Sequence, residues 1–162
     1  MASSLYRNFI ETMLAPGNAS NGHSGATIDL LDVTTNVVSI SLVDSGTYTF
    51  SEDHDYYDDI TAAAIVSNSA TAISTPVFGD GTTGARWDAA NFNSGGAGSL
   101  TNIGDGVDSV DAIIIWVNTA GASSTDPVVA YIDTGTGFGV TPNASTVDIV
   151  WHADGIINFN YI

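Results

Sequence analysis

The chain contains no cysteine and no lysine, and its only strongly basic side chains are Arg7 and Arg86. Without cysteine there are no disulfides, no thiolate zinc sites and no cysteine nucleophile. The shortage of cations excludes more. Against two arginines stand 18 acidic residues, a formal charge of −16 at pH 7. Binding to nucleic acid works by displacing counterions from phosphates with protein cations, so no nucleic-acid partner is expected. The same deficit argues against an anionic lipid surface, and no apolar run is long enough to span a bilayer, so no membrane association is expected. The first residues, "MASSLYRNFIETML", lack the apolar stretch of a secretory leader, and none is expected. A polymeric partner should offer basic or neutral surface.

Charged residues of both signs make up only 12% of the chain while 44% is hydrophobic, which is not the composition of a disordered protein. The length suits one domain over residues 1–162, large enough to bury a core without a metal or disulfide staple. Within it, residues 1–15 read as an N-terminal helix arm and 16–162 as a β-sandwich. Leu5, Phe9, Ile10, Met13 and Leu14 form an apolar stripe at helical spacing, with Ser3 or Ser4 as cap and Ala15-Pro16-Gly17 as stop. Residues 17–25, with Asn18 and His23, read as a solvated connection.

Strand signals fill the remainder. "ATIDLLDV" and "NVVSISLVD" are β-branched runs, and in the second Val38, Ile40 and Leu42 share a face opposite Ser39, Ser41 and Val43. Residues 61–78 supply one or two strands, limited by Pro76. Residues 79–106 read as long loops around short strands near Ala85–Trp87 and Leu100. "DAIIIWVN" predicts a central strand buried on both faces, followed by "PVVAYID". The end reads as a hairpin, "STVDIVWH" and "IINFNYI" joined by Ala153-Asp154-Gly155. About eight short strands, glycine-rich turns and one short helix predict an all-β fold, a β-sandwich or jelly-roll-like domain.

The densest chemistry is "SEDHDYYDDI", residues 51–60, with five carboxylates and His54. A calcium loop needs alternating oxygens, a mid-loop glycine and a closing glutamate, and Tyr56 and Tyr57 interrupt that pattern. Zinc needs more nitrogen ligands than His54 alone. The segment therefore reads as a solvated turn pinned by Tyr56, Tyr57 and Ile60. Asp105, Asp108 and Asp111 form a second acidic cluster, read as a turn before a strand, with a calcium site as the alternative. "GDGTTG" at 79–84 lacks a phosphate-loop lysine, and "GTGFG" at 135–139 lies between strands with no following helix. No nucleophile elbow or Ser-His-Asp set is recognisable. No catalytic residue, cofactor or metal is expected.

Val129-Ala130-Tyr131-Ile132-Asp133-Thr134, then Gly137, Val140-Thr141-Pro142-Asn143, then Asp148, Ile149, Trp151, Gly155 and Phe159 form an ordered signature. Leu42, Val43, Asp44, Tyr48, Thr49, His54, Asp55, Asp59 and Ile60 form an earlier one. Together they resemble a family of small structural proteins of tailed bacteriophages, described as virion or head-associated proteins, whose members also begin with a short helix. This chain departs from the family in Asn143-Ala144-Ser145 and in lacking lysines. The resemblance implies a non-enzymatic virion protein, and within that class a capsid decoration or cement protein on the outer shell, partnered with the major capsid protein. An acidic surface repelled by DNA suits the outside of the shell. Virion symmetry implies a homo-oligomer, with a trimer expected by analogy. The contact candidates are Leu5, Phe9, Ile10 and Met13 on the helix, and Trp87 and Phe92 in the long loops. Deleting residues 1–14 is expected to weaken capsid binding without unfolding the sheet. The alternatives are a tail or fibre component that binds a receptor or glycan, and a secreted enzyme or calcium module.

Overall fold

The run Ala112–Val117 is buried on both faces, and the other elements are arranged to cover it. The computed structural model describes residues 4–14, 28–32, 34–80 and 84–160. Ser3, the Ala15–Gly25 connection with Asn18 and His23, the middle of the 79–84 turn, and Tyr161 lie outside the described residues. The strands are β1 (Ser4–Leu5), β2 (Val37–Val43), β3 (Thr71–Ala72), β4 (Val77–Asp80), β5 (Gly84–Asp88), β6 (Leu100–Asp105), β7 (Ala112–Asn118), β8 (Val128–Ile132), β9 (Asn143–Val147) and β10 (Ile157–Asn160), with one helix, α1 (Arg7–Leu14). They form an all-β, sandwich-like fold in which every named strand pairing is antiparallel.

The main sheet has the order β1-β8-β7-β2-β3, and β7 lies in its middle as its apolar run requires. On one face Val38, Ile40 and Leu42 join Ile113, Ile115, Val117 and Val129. They pack against Trp87, Phe92, Leu100, Ile103, Ile149 and Ile157 from a second layer. That layer consists of a three-stranded sheet, β10-β5-β4, and the pair β6-β9. The indole N–H of Trp87 donates to the Leu30 carbonyl at 3.0 Å, so the largest buried ring leaves no orphan donor. Gly104, at φ +75°, passes so close to Pro142 that a Cβ would stand 2.2 Å from its carbonyl oxygen; only glycine fits there.

The other face of the main sheet is covered without a second sheet. Residues 44–66, with two short 3₁₀ turns, lay Tyr48, Phe50, Tyr57, Ile60, Ala64 and Ile65 over Val43, Ala112, Ile114, Trp116, Val128 and Tyr131. Ser41, fully buried, accepts a hydrogen bond from Trp116 Nε1 at 3.1 Å and shares one with the Tyr57 hydroxyl at 2.8 Å. The Tyr57 and Trp116 rings stack at 4.1 Å. Beside them the hydroxyls of Tyr6 and Tyr48 lie 3.0 Å apart, and that of Tyr48 lies 2.8 Å from His54 Nδ1. Ser41 of β2 is therefore an interior partner for two aromatic side chains.

Three local expectations are corrected. Ser4 does not cap α1; it pairs with Tyr131 in the short edge strand β1. Residues 28–32 of "ATIDLLDV" form a turn rather than a strand. Asp32 stabilises the exit of that turn by accepting hydrogen bonds from the amides of Thr34, Thr35 and Asn36 at 2.7–3.0 Å. The C-terminal hairpin does not form: β9 pairs with β6 and β10 with β5, and Asp154-Gly155 turns the chain between two different sheets. Ile149 is tied to Phe92 and Trp151 to Asn91, which separates the two strands before they can pair.

Burial raises the pKa of the Tyr6, Tyr57 and Tyr131 hydroxyls and pushes that of Tyr48 up to about 12. Tyrosine in the unfolded chain ionises near pH ~10. These groups are neutral in both states below that pH and ionise only in the unfolded state above it. Stability should therefore hold up to about pH 10 and fall between about 10 and 12. In an alkaline titration, phenolate absorbance from these tyrosines should appear together with loss of far-ultraviolet circular dichroism. Smooth ionisation of all six tyrosines with the sheet intact would contradict the buried network.

Candidate functional site

The acidic stretch 51–60 is a strap across the second face of the main sheet. The Arg7 guanidinium pairs with Glu52 at 2.6 Å and with Asp53. The Arg7 amide also donates to the Glu52 carbonyl, which ties the start of α1 to the strap. Asp59 caps its own turn, accepting from the amides of Asp55 and Tyr56 at 2.8 and 3.0 Å. The strap joins the loop before β8 through Tyr57 N–H to Asp126 and Val128 N–H to Asp55. Of the three expected pins, Tyr57 and Ile60 pack inward while Tyr56 is half-buried and bridges through its backbone to Pro127, and Glu52, Asp53, Asp58 and Asp59 face water.

The second acidic cluster is likewise engaged in holding chain. Asp111 accepts from the amide and hydroxyl of Ser45 and from the hydroxyl of Ser109. Burial opposes its charge, but those hydrogen bonds outweigh it and hold its carboxyl below the usual range. Asp105 accepts from the Val107 amide. Among the described residues no three of His, Asp or Glu stand close enough to hold a metal. Asp32, with three amides and the Thr34 hydroxyl directed at it, has its carboxyl held well below the usual range.

The six contact candidates divide. Phe9, Trp87 and Phe92 are 1%, 0% and 3% exposed and belong to the sandwich core. Those three are corrected as contact residues, because no partner can reach them without opening the fold. Trp87 lies within β5, and Phe92 bridges to Ile149. Leu5 is half-buried in β1. Ile10 and Met13 are 39% and 46% exposed, and Leu14, beside them, is 80% exposed. These three lie at helical spacings of three and four, on a helix whose adjoining face buries Asn8 and Phe9. The segment is also more than an arm. Tyr6 and Phe9 enter different core clusters, so removing residues 1–14 would damage the core as well as any contact surface.

A cleft of about 660 Å³ opens at one end of the sandwich, among residues outside every candidate site read from the sequence. Leu42, Ile113 and Ile132 line it, along with the Thr134–Val140 loop on one side and Val147–His152 on the other. The "GTGFG" motif forms part of its wall. Val140 and Val150 at its edge are 48% and 66% exposed, and in sequence Val150 stands out as an apolar residue between Asp148 and His152.

No family model, curated protein or solved structure matches this chain.

Two outcomes test these assignments. Trp87→Ala should cost about 3–5 kcal/mol in denaturant unfolding, whereas Ile10→Ser and Met13→Ser should each stay within about 0.5 kcal/mol. For Asp32, the folded carboxyl is the stronger acid, so its contribution is present above the unfolded value of about 3.9 and lost as pH falls below it. The gap in Tm between wild type and Asp32→Asn should be largest above about pH 5 and close on acidification below about pH 4. A gap independent of pH would remove the charge from the explanation.

Proposed function

We propose that the protein is a non-enzymatic structural component of a phage virion, a decoration or cement protein on the outer surface of the capsid. The observation that carries the reading is the helix face. Ile10, Met13 and Leu14 present an apolar stripe to solvent from a helix whose adjoining face, with Asn8 and Phe9, is locked into the core. A rigid apolar contact of this kind suits docking into a pocket on a neighbour, since little conformational freedom is lost on binding. The rest of the surface carries many carboxylates, and both arginines are engaged, Arg7 with Glu52 and Asp53, Arg86 with Asp88 and the Ala153 carbonyl. Such a surface is repelled by packaged DNA and attracted to a basic lattice. The resemblance of the two sequence signatures to those of head-associated phage proteins supports the same reading. The partner is then the major capsid protein, and the symmetry of capsid sites favours a homo-oligomer, with a trimer at a three-fold position.

Quantitative mass spectrometry of purified virions tests this reading. Copy number should approach that expected for a whole capsid lattice. A handful of copies would move the protein to the tail or a fibre, and absence from virions would end the structural reading. In reconstitution, Ile10→Asp with Met13→Asp should weaken binding to undecorated capsids at least about tenfold, or ~1.4 kcal/mol, with Tm little changed. Undiminished binding would exclude the helix face as the clamp.

A further inference from the structure

The cleft arises because two layers of the sandwich part at one end and are held apart. Its floor is aliphatic, made by Leu42, Ile113 and Ile132 of the main sheet. One wall is the Thr134–Val140 loop, fixed where Val110 N–H donates to the Val140 carbonyl at 2.7 Å and Gly139 N–H donates to that of Val110 at 2.8 Å. The other is the segment from Val147 to Trp151, fixed by reciprocal hydrogen bonds between Phe92 and Ile149 at 2.9 and 2.8 Å. Trp151 is held twice more, by its amide to Asn91 and its indole N–H to the Ala90 carbonyl. Walls tied to the framework on both sides keep the cleft open before anything binds.

The loop wall depends on its glycines. Gly137 and Gly139 adopt φ of +98° and +83°, which turns the chain around Phe138. The Phe138 ring then lies over Gly135, where a Cβ would stand 3.1 Å from the ring edge. This gives the discounted "GTGFG" motif a physical role: it sets an aromatic ring on the side of an apolar cleft.

We propose that this cleft is a binding site for a compact, uncharged, mainly hydrocarbon small molecule bearing one or two polar groups. Three features select that chemistry. The floor and much of the walls are apolar, so the occupant must gain by leaving water. Thr134, Thr136, Asp148 and His152 add polar groups to the lining, enough to orient a hydroxyl or carbonyl. No lysine or arginine lines the cleft, and Asp148 does, so an anionic ligand meets repulsion without a counter-charge. The volume falls in the range of small-molecule pockets. The site is separate from the helix face and does not depend on the virion reading.

The test uses the full chain and the uncharged dye N-phenyl-1-naphthylamine. Its fluorescence should rise with saturable one-to-one binding, and the anionic dye 8-anilinonaphthalene-1-sulfonate should bind at least about tenfold more weakly. Val147→Trp, which fills the cleft, should weaken the uncharged dye at least about tenfold. If that variant does not fold, methyl resonances of the wild-type protein decide. Ile113, Ile132, Ile149 and Ile156 should shift on dye addition while Ile10 and Ile60 stay still. Non-saturable binding, equal affinity for both dyes, an unaffected folded Val147→Trp, or shifts centred on Ile10 would each overturn the proposal.

Discussion

A strand that is apolar on both faces must be covered on both faces, and β7 imposes that condition on the whole chain. One cover is conventional, a second layer of short strands whose aromatic and aliphatic side chains interdigitate with those of β2, β7 and β8. The other is irregular chain, residues 44–66 and the start of the N-terminal segment, packed through tyrosines. Irregular chain carries backbone groups that need partners. Here the short 3₁₀ turns, the Asp59 cap and the hydrogen bonds to the loop before β8 supply them. Tyrosine suits such a cover because it fills volume and still offers a hydroxyl to groups such as Ser41.

The scarcity of cations shapes the rest. With two arginines for 18 acidic residues, most carboxylates cannot find an ion pair. Several are placed against backbone amides and hydroxyls instead. Asp32 leads into β2, Asp44 and Asp111 clip the turn after it, and Asp59 closes the strap. Charge that looks in sequence like a metal or acid/base cluster is thereby used to satisfy turns. Ion pairs occur at both arginines: Arg86 pairs with Asp88, and the contacts of Arg7 with Glu52 and Asp53 join the helix to the strap. All three side chains of the Arg7 clamp are well exposed to solvent, so it serves to position the helix more than to add stability.

That positioning bears on function. The helix is oriented with Phe9 inward and Ile10, Met13 and Leu14 outward, and the acidic domain carries this apolar stripe as a fixed feature. At the end of the sandwich, the bridges Val110–Val140 and Phe92–Ile149 hold a second apolar surface, concave where the first is convex. On the readings proposed above, the two surfaces take different occupants, a protein pocket for the helix and a small molecule for the cleft.

Local pattern was sufficient for the all-β class, for the helix near the start, for β7 as the central strand and for the two faces of β2. Each of these follows from the period and polarity of side chains along a single segment. It was not sufficient for the end of the chain, where alternation around Asp154-Gly155 signals a hairpin but the strands join different sheets, because Ile149 and Trp151 are captured by residues some sixty positions earlier. Nor could it tell Phe9, Trp87 and Phe92 from Ile10 and Met13 as contact residues, since all are apolar and only the packing decides which meet water. The cleft was the least legible, being a gap between segments that no periodicity describes. The sequence alone determined the all-β class and which faces of strands such as β2 and β7 are apolar. The tertiary structure decided what each segment is buried against, because partners distant in the chain compete for the same faces and only the folded arrangement resolves that competition.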